Sequence, residues 1–212
     1  MKGTVIKMKI EKIGVLYGTT NCYIVSDEKS GKCAVVDPGG DGGRLAAYIA
    51  ENGLTLAAVL LTHGHYDHTG GVQSLRENFP DVPVYMSDKD AVVTDDRRIS
   101  RLFPSVPDTK NVSEGDVIDV GELAFRVTET PGHTRGGVCY IAEDCIFCGD
   151  TLFTGSMGRT DLFGGSDSDM EASLRKIAAL DGDYRIFPGH MGATTLNAER
   201  ETNPYLIRAI RK

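Results

Sequence analysis

Eleven consecutive residues constrain this chain more than any others: Leu61-Thr62-His63-Gly64-His65-Tyr66-Asp67-His68-Thr69-Gly70-Gly71. They hold three of the chain's five histidines and a carboxylate. Chance would place H-x-H-x-D-H somewhere in such a composition on the order of one time in ten thousand. In extended chain, residues two apart point the same way, so His63 and His65 can grip one ion. On a helix they would diverge by about 200°. Gly64 keeps the backbone between them permissive. Asp67 and His68 follow where the chain turns into the next helix, and can face a second ion beside the first. The bland alternative, three ordinary imidazoles, requires each buried ring to find a partner of its own.

The other two histidines have a common setting. His133 lies in Thr130-Pro131-Gly132-His133-Thr134 and His190 in Phe187-Pro188-Gly189-His190, each a Pro-Gly turn after a strand-like run. Asp150, in Cys148-Gly149-Asp150-Thr151, also follows such a run. Strand ends converge on one edge of a sheet, so all of these side chains can meet. Five imidazoles and two carboxylates suit zinc, iron or manganese better than calcium. Seven donors exceed one tetrahedral site and fit two ions if one carboxylate bridges. Ions about 3.5–4 Å apart can hold a water between them and lower its pKa towards ~7.

The remaining sequence describes the scaffold. Short apolar or β-branched runs read as strands at Thr4–Ile10, Ile13–Tyr17, Cys22–Ser26, Cys33–Asp37 and Leu56–Leu61, then at Val117–Val120, Ala124–Thr128, Val138–Ala142, Cys145–Cys148 and Arg185–Phe187. Helical periodicity spans Arg44–Asn52, Gly71–Asn78, Met170–Leu180 and Asn197–Arg211. Asp88–Asp116 is polar and irregular, and reads as a connection. Two halves, each running strands then helix, predict an α/β fold of two stacked sheets with helices outside. We read residues 1–212 as a single domain whose pseudo-repeated halves meet near 105–115. The pair Cys145 and Cys148 invites a metal or redox reading. Residues three apart on a strand face opposite ways, however, and no second pair completes a four-sulfur site. These are expected to be core thiols. A formal net charge of −7 disfavours nucleic acid as a partner. No stretch reaches the ~18 apolar residues of a membrane span, and Met1–Gly14 lacks the apolar core of an export signal. A cytoplasmic location, away from membranes, is expected.

Five blocks in order resemble the metallo-β-lactamase superfamily: Val35-Val36-Asp37-Pro38-Gly39, Thr62 to His68, Gly132-His133, Gly149-Asp150-Thr151-Leu152-Phe153 and Pro188-Gly189-His190. The resemblance implies a four-layer αββα sandwich with two metal ions at one edge. His63, His65 and His133 would hold the first ion, Asp67, His68 and His190 the second, and Asp150 would bridge them. Asp37 would orient a ligand from behind. The run Gly158-Arg159-Thr160-Asp161-Leu162-Phe163-Gly164-Gly165-Ser166 is similar to the glyoxalase II-like (hydroxyacylglutathione hydrolase-like) hydrolases, especially short bacterial ones. Arg159 falls where those enzymes place a cation that touches a thioester substrate. Asp161 departs from them, standing where they carry a tyrosine near the thiol. The implied activity is hydrolysis of a small-molecule thioester or ester, such as a hydroxyacyl-thiol. A metal-bound hydroxide attacks, and Asp67 both holds an ion and accepts a hydrogen bond from the water. Zinc is the first expectation, with iron or manganese behind it. The rival is a mononuclear iron persulfide dioxygenase using His63, His133 and Asp150.

Overall fold

Side-chain direction alternates along the strands of the computed structural model, which describes residues 8–211, and so sorts the apolar residues of each sheet onto two buried faces. The first half builds a mixed sheet from β1 (Met8–Val15), β2 (Thr20–Asp27), β3 (Lys32–Val36), β4 (Thr55–Leu60), β5 (Val84–Tyr85) and β6 (Thr109–Lys110), in that spatial order. The β1, β2 and β3 pairings are antiparallel, and those from β3 to β6 are parallel. Helices α1 (Gly42–Glu51), α2 (Tyr66–Thr69), α3 (Val72–Arg76) and α4 (Arg97–Leu102) lie in the connections.

The second half supplies β7 (Val117–Val120), β8 (Leu123–Glu129), β9 (Val138–Ala142), β10 (Cys145–Gly149), the hairpin β11 (Leu152–Phe153) and β12 (Ser156–Met157), then α5 (Asp167–Ala178), β13 (Arg185–Pro188), β14 (Thr194–Thr195), α6 (Leu196–Thr202) and α7 (Pro204–Arg211). Its sheet runs β14-β13-β10-β9-β8-β7, antiparallel except for the parallel β10–β13 pair.

Between the sheets, Tyr23, Val25, Val36 and Leu60 meet Phe125, Val127, Tyr140 and Phe147. Each such large side chain contributes about 1.5–3 kcal/mol through burial. The intervening residues Ile24, Val35 and Val59 face outward against Leu45 and Ile49 of α1 and Leu75 of α3. Ile141, Ile146 and Ile186 do the same against Met170, Leu174 and Ile177 of α5 and Leu206 of α7. The product is the four-layer αββα sandwich. Cys145 packs between the sheets and Cys148 under the helices, so the pair diverges as strand geometry requires, and both thiols are buried and free.

Several boundaries differ from the sequence reading. One strand, Met8–Val15, replaces the two expected at Thr4–Ile10 and Ile13–Tyr17, and residues 4–7 lie outside the described part. Glu11 and Lys12 do not interrupt it because β1 is an edge strand that can turn charges to water. The helix expected over Asn197–Arg211 breaks at Asn203, which is extended before Pro204. Asn203 Oδ1 accepts from the N–H groups of Tyr205 and Leu206 and so restarts the helix as α7. The helix expected over Gly71–Asn78 is shortened to α3, and a separate single turn, α2, carries Asp67 and His68. The irregular stretch Asp88–Asp116 holds a 3₁₀ turn at Asp88–Asp90, α4 and the short β6.

Candidate metal centre

Each of the seven singled-out side chains follows a strand end, and the two sheets bring those ends to one edge. His63 and His65 follow β4, with Asp67 and His68 on α2 just beyond. His133 follows β8, Asp150 follows β10 and His190 follows β13. Cross-sheet hydrogen bonds fix the loops. Val138 N–H donates to Thr62 O at 2.8 Å, and the Tyr140 hydroxyl donates to Leu61 O at 3.0 Å. Asn21, just ahead of the strand expected at Cys22–Ser26, clamps the His190 turn. Its backbone N–H donates to Gly189 O at 2.7 Å, and its buried side chain donates to Pro188 O and Met191 O at 2.9 and 3.0 Å. Gly189 must be glycine for space, since a Cβ there would lie 2.5 Å from both Asp150 Oδ1 and His68 Cε1.

The ligand-type atoms of all seven residues fall into three overlapping groups, His63/His65/His133, His63/His68/Asp150 and Asp67/His68/His190, each within 4.8 Å. Asp150 is central. Its Oδ1 is 3.4 Å from His68 Nε2, and its Oδ2 is 3.4 Å from both His133 Nε2 and His190 Nε2. Asp67 Oδ2 stands 3.4 Å from His190 Nε2 and 3.7 Å from His68 Nε2.

Outer partners orient the rings. His133 Nδ1 donates to Arg159 O at 2.7 Å, His190 Nδ1 to Thr19 O at 2.6 Å and His68 Nδ1 to Asp37 Oδ2 at 3.0 Å. Asp37, held at a left-handed φ of 51°, also accepts from the N–H and hydroxyl of Thr62, both at 2.7 Å. With its proton committed to Asp37, the Thr62 hydroxyl can accept from His63 Nδ1 at 3.1 Å. These bonds commit one nitrogen of each of four rings to the scaffold and turn the other toward the cluster.

Inside the cluster, His63 Nε2, His65 Nε2, His68 Nε2 and Asp150 Oδ1 are buried without hydrogen-bond partners. His65 Nδ1 and His133 Nε2 stand only 2.9 Å apart. Each unsatisfied buried polar atom costs about 1–3 kcal/mol, so a concentration of them at one point fits a bound cation. The donor set of imidazoles and carboxylates fits transition metals.

Charge is split across the cluster. Burial, reinforced by the neighbouring imidazoles, holds His63 well below the usual range and His65 down at about 3. Both are neutral, as ligands must be. Burial also opposes charge on His68, but Asp150 and Asp37 overcome it and push the ring up to about 9. At His190 burial is overcome by hydrogen bonds to Asp150 and Asp67, and the ring rises to about 11. Asp67 and Asp150 are held below the carboxylate range despite burial, chiefly by His190 and His68 respectively. In the cation-free protein, protons on His68 and His190 thus balance the two carboxylates.

The model of the metallo-beta-lactamase superfamily matches residues 16–190. The chain belongs to that superfamily. Among curated relatives, the hydroxyacylglutathione hydrolase of Klebsiella pneumoniae is 40% identical over 170 residues, 80% of this chain and 61% of its own length. A probable metallo-hydrolase of Bacillus subtilis is 34% identical over 194 residues, 87% and 90% of the two chains. Among solved structures, the BLEG-1 B3 metallo-beta-lactamase superposes with a TM-score of 0.81 at 32% identity, covering 94% of this chain and 99% of that one. ETHE1 from Myxococcus xanthus gives 0.79 at 29% identity, with 96% and 85% coverage. TTHA1623 in a di-iron-bound form gives 0.77 at 33%, with 93% and 99%.

Asp90, like Asn21, escaped sequence reasoning. Asp90, 3% exposed, accepts from Gly64 N–H at 2.9 Å, Gly136 N–H at 2.7 Å and the Thr134 hydroxyl at 2.7 Å. It ties the His63–His65 loop to the His133 loop. Arg159 lines a cleft of about 480 Å³ over the cluster, and its guanidinium pairs with Asp161. Among the described residues no helix is long and apolar enough to cross a membrane.

Proposed function

We propose that this chain is a hydrolase of small-molecule thioesters that works with two divalent cations, zinc foremost. The observation that carries the reading is the convergence of four partnerless buried atoms, on His63, His65, His68 and Asp150, where four of the five imidazole rings have their other nitrogen committed to the scaffold. His63, His65 and His133 would hold one ion, Asp67, His68 and His190 the other, and Asp150 both. When bound, the ions would polarise the substrate carbonyl and acidify the attacking water. The protein's part is geometry. Asp67, 22% exposed at the cleft floor, can accept a hydrogen bond from that water and aim it. Asp37 and the backbone carbonyls of Arg159 and Thr19 fix the imidazole rings so that no reorganisation accompanies reaction. Neither a serine nor a cysteine nucleophile is required. The likeness to a hydroxyacylglutathione hydrolase supports thioester chemistry.

The likeness to ETHE1 keeps a second reading in play, a mononuclear iron persulfide dioxygenase on His63, His133 and Asp150. That triad would leave His65 Nε2 and His68 Nε2 buried and unpaired, which favours the larger site. The deciding experiment is metal analysis of the purified protein, with a thioester panel including S-lactoylglutathione and oxygen-electrode assays on glutathione persulfide. The expected result is about two ions per chain and hydrolysis. Asp150→Ala is expected to release both ions and lower turnover at least ~100-fold. One iron per chain with oxygen uptake and no hydrolysis would overturn the proposal.

A further inference from the structure

We infer that the cleft above the metal cluster selects thioesters whose thiol portion is uncharged and apolar, with Asp161 cancelling the cation that would otherwise recruit an anionic thiol. The inference rests on the hydrolase reading above and concerns the part of the substrate that lies away from the reacting carbonyl.

The walls of the cleft are apolar. Leu102, Phe153, Met157, Leu162 and Met191 line it beside Tyr66, and Met191 and Tyr66 are 56% and 53% exposed. Solvent-facing apolar groups around a polar floor suit an apolar ligand segment, whose burial there is favourable. Arg159 is the Lys or Arg among the lining residues, and His133 fixes its place by donating to its backbone carbonyl. Its guanidinium is paired with Asp161, which stands outside the cleft lining at its rim, and both side chains are largely exposed. Nε meets Asp161 Oδ1 at 2.7 Å and Nη2 meets Oδ2 at 2.6 Å, a two-pronged pair that presents one charge of each sign. The guanidinium holds Asp161 down to about 2, so the carboxylate is ionised throughout the neutral range. An anionic tail entering here would gain Arg159 only by approaching Asp161. Bound cations would favour any anion in the cleft, but they do so equally in the parent and in an Asp161 variant, so a comparison of the two isolates what Asp161 contributes.

The test uses the metal-loaded protein and two thioesters with one acyl group, esterified either to N-acetylcysteamine (neutral) or to 3-mercaptopropionate (anionic). The neutral ester is expected to show the higher kcat/KM by about tenfold. Asp161→Asn should shift the anionic-to-neutral ratio by about fivefold, the effect of removing one exposed like charge at ~4 Å in water. The shift should appear in KM, and adding Arg159→Ala should erase it. Calorimetric binding of the two corresponding non-hydrolysable thioethers gives a readout independent of turnover, and the same order of affinity is expected. Equal or stronger binding of the anionic thioether, or a ratio that Asp161→Asn leaves in place, would overturn the inference. Neutral-preferring thioether binding without hydrolysis of either ester would sustain the selectivity while refuting the hydrolase reading.

Discussion

Replacing Asp90 with alanine removes one carboxylate and strands three donors. Gly64 N–H, Gly136 N–H and the Thr134 hydroxyl all end on this side chain, at 2.9, 2.7 and 2.7 Å. A buried donor without a partner costs about 1–3 kcal/mol. Three of them set a gross loss of at least ~3 kcal/mol. Part of this returns, because the native site also carries the cost of a buried charge: burial pushes the Asp90 carboxyl above its usual range despite its three hydrogen bonds. The net expectation is ~2–4 kcal/mol, a large share of the ~5–15 kcal/mol that stabilises an ordinary domain. Urea denaturation of the metal-free protein measures it as a lower midpoint at constant slope. Metal retention against a chelator measures the second consequence, since the loops of His63–His65 and His133 lose their common anchor. Asp90→Asn should fall between, because its amide oxygen can still accept while its NH₂ faces donors. An alanine variant within ~0.5 kcal/mol of the parent, the range of an ordinary surface substitution, and with unchanged metal retention, would refute the assignment of Asp90 as the tie between the loops.

Two further predictions follow from proton bookkeeping. Asp27 is held down to about 2, first by the Ser30 hydroxyl and then by the N–H groups of Glu122 and Lys29. A depressed carboxylate adds stability above its unfolded pKa of ~3.9. That stability is lost as pH falls through the folded value. The midpoint difference between the parent and Asp27→Asn should therefore be constant above pH ~4 and close between pH ~4 and the folded value, and a difference that persists at the lowest pH would be inconsistent. Cation loading near neutral pH must displace the protons held by His68, up at about 9, and His190, up at about 11. Titration calorimetry in buffers of different ionisation enthalpy should show about two protons released per chain and affinity rising with pH, whereas pH-independent affinity would contradict the charge split described above.

The legible part of the site was the part encoded by residue type. Histidine is scarce, so five placed after strand ends carry information that survives ignorance of the fold. Strand alternation likewise exposed the divergence of Cys145 and Cys148, because a period of two is a local property. Asp90 was hidden for the opposite reason. It is one aspartate in a polar, aperiodic stretch, and its function arises from contacts 26, 44 and 46 residues away in sequence. Asn21 was hidden inside an ordinary buried strand, since its partners are carbonyls of residues 188–191 that no sequence pattern marks. The break at Asn203 was visible in principle, as the residue before a proline leaves the helical region, but the amphipathic pattern of Asn197–Arg211 outweighed it.

The placement of ligands across the two halves ties stability to chemistry. His63, His65, Asp67 and His68 come from loops of the first sheet, while His133, Asp150 and His190 come from the second. Asp90 and Asn21 repeat the arrangement with hydrogen bonds, each lying in the first half and reaching into the second. Cations held at this seam would cross-link the sheets at the edge where the interior core ends. Any change that lets the halves slide would then register as loss of metal before loss of fold. The same logic explains the glycine at 189: where Asp150 and His68 from different sheets approach a turn from a third loop, only a residue without a side chain leaves room for their meeting.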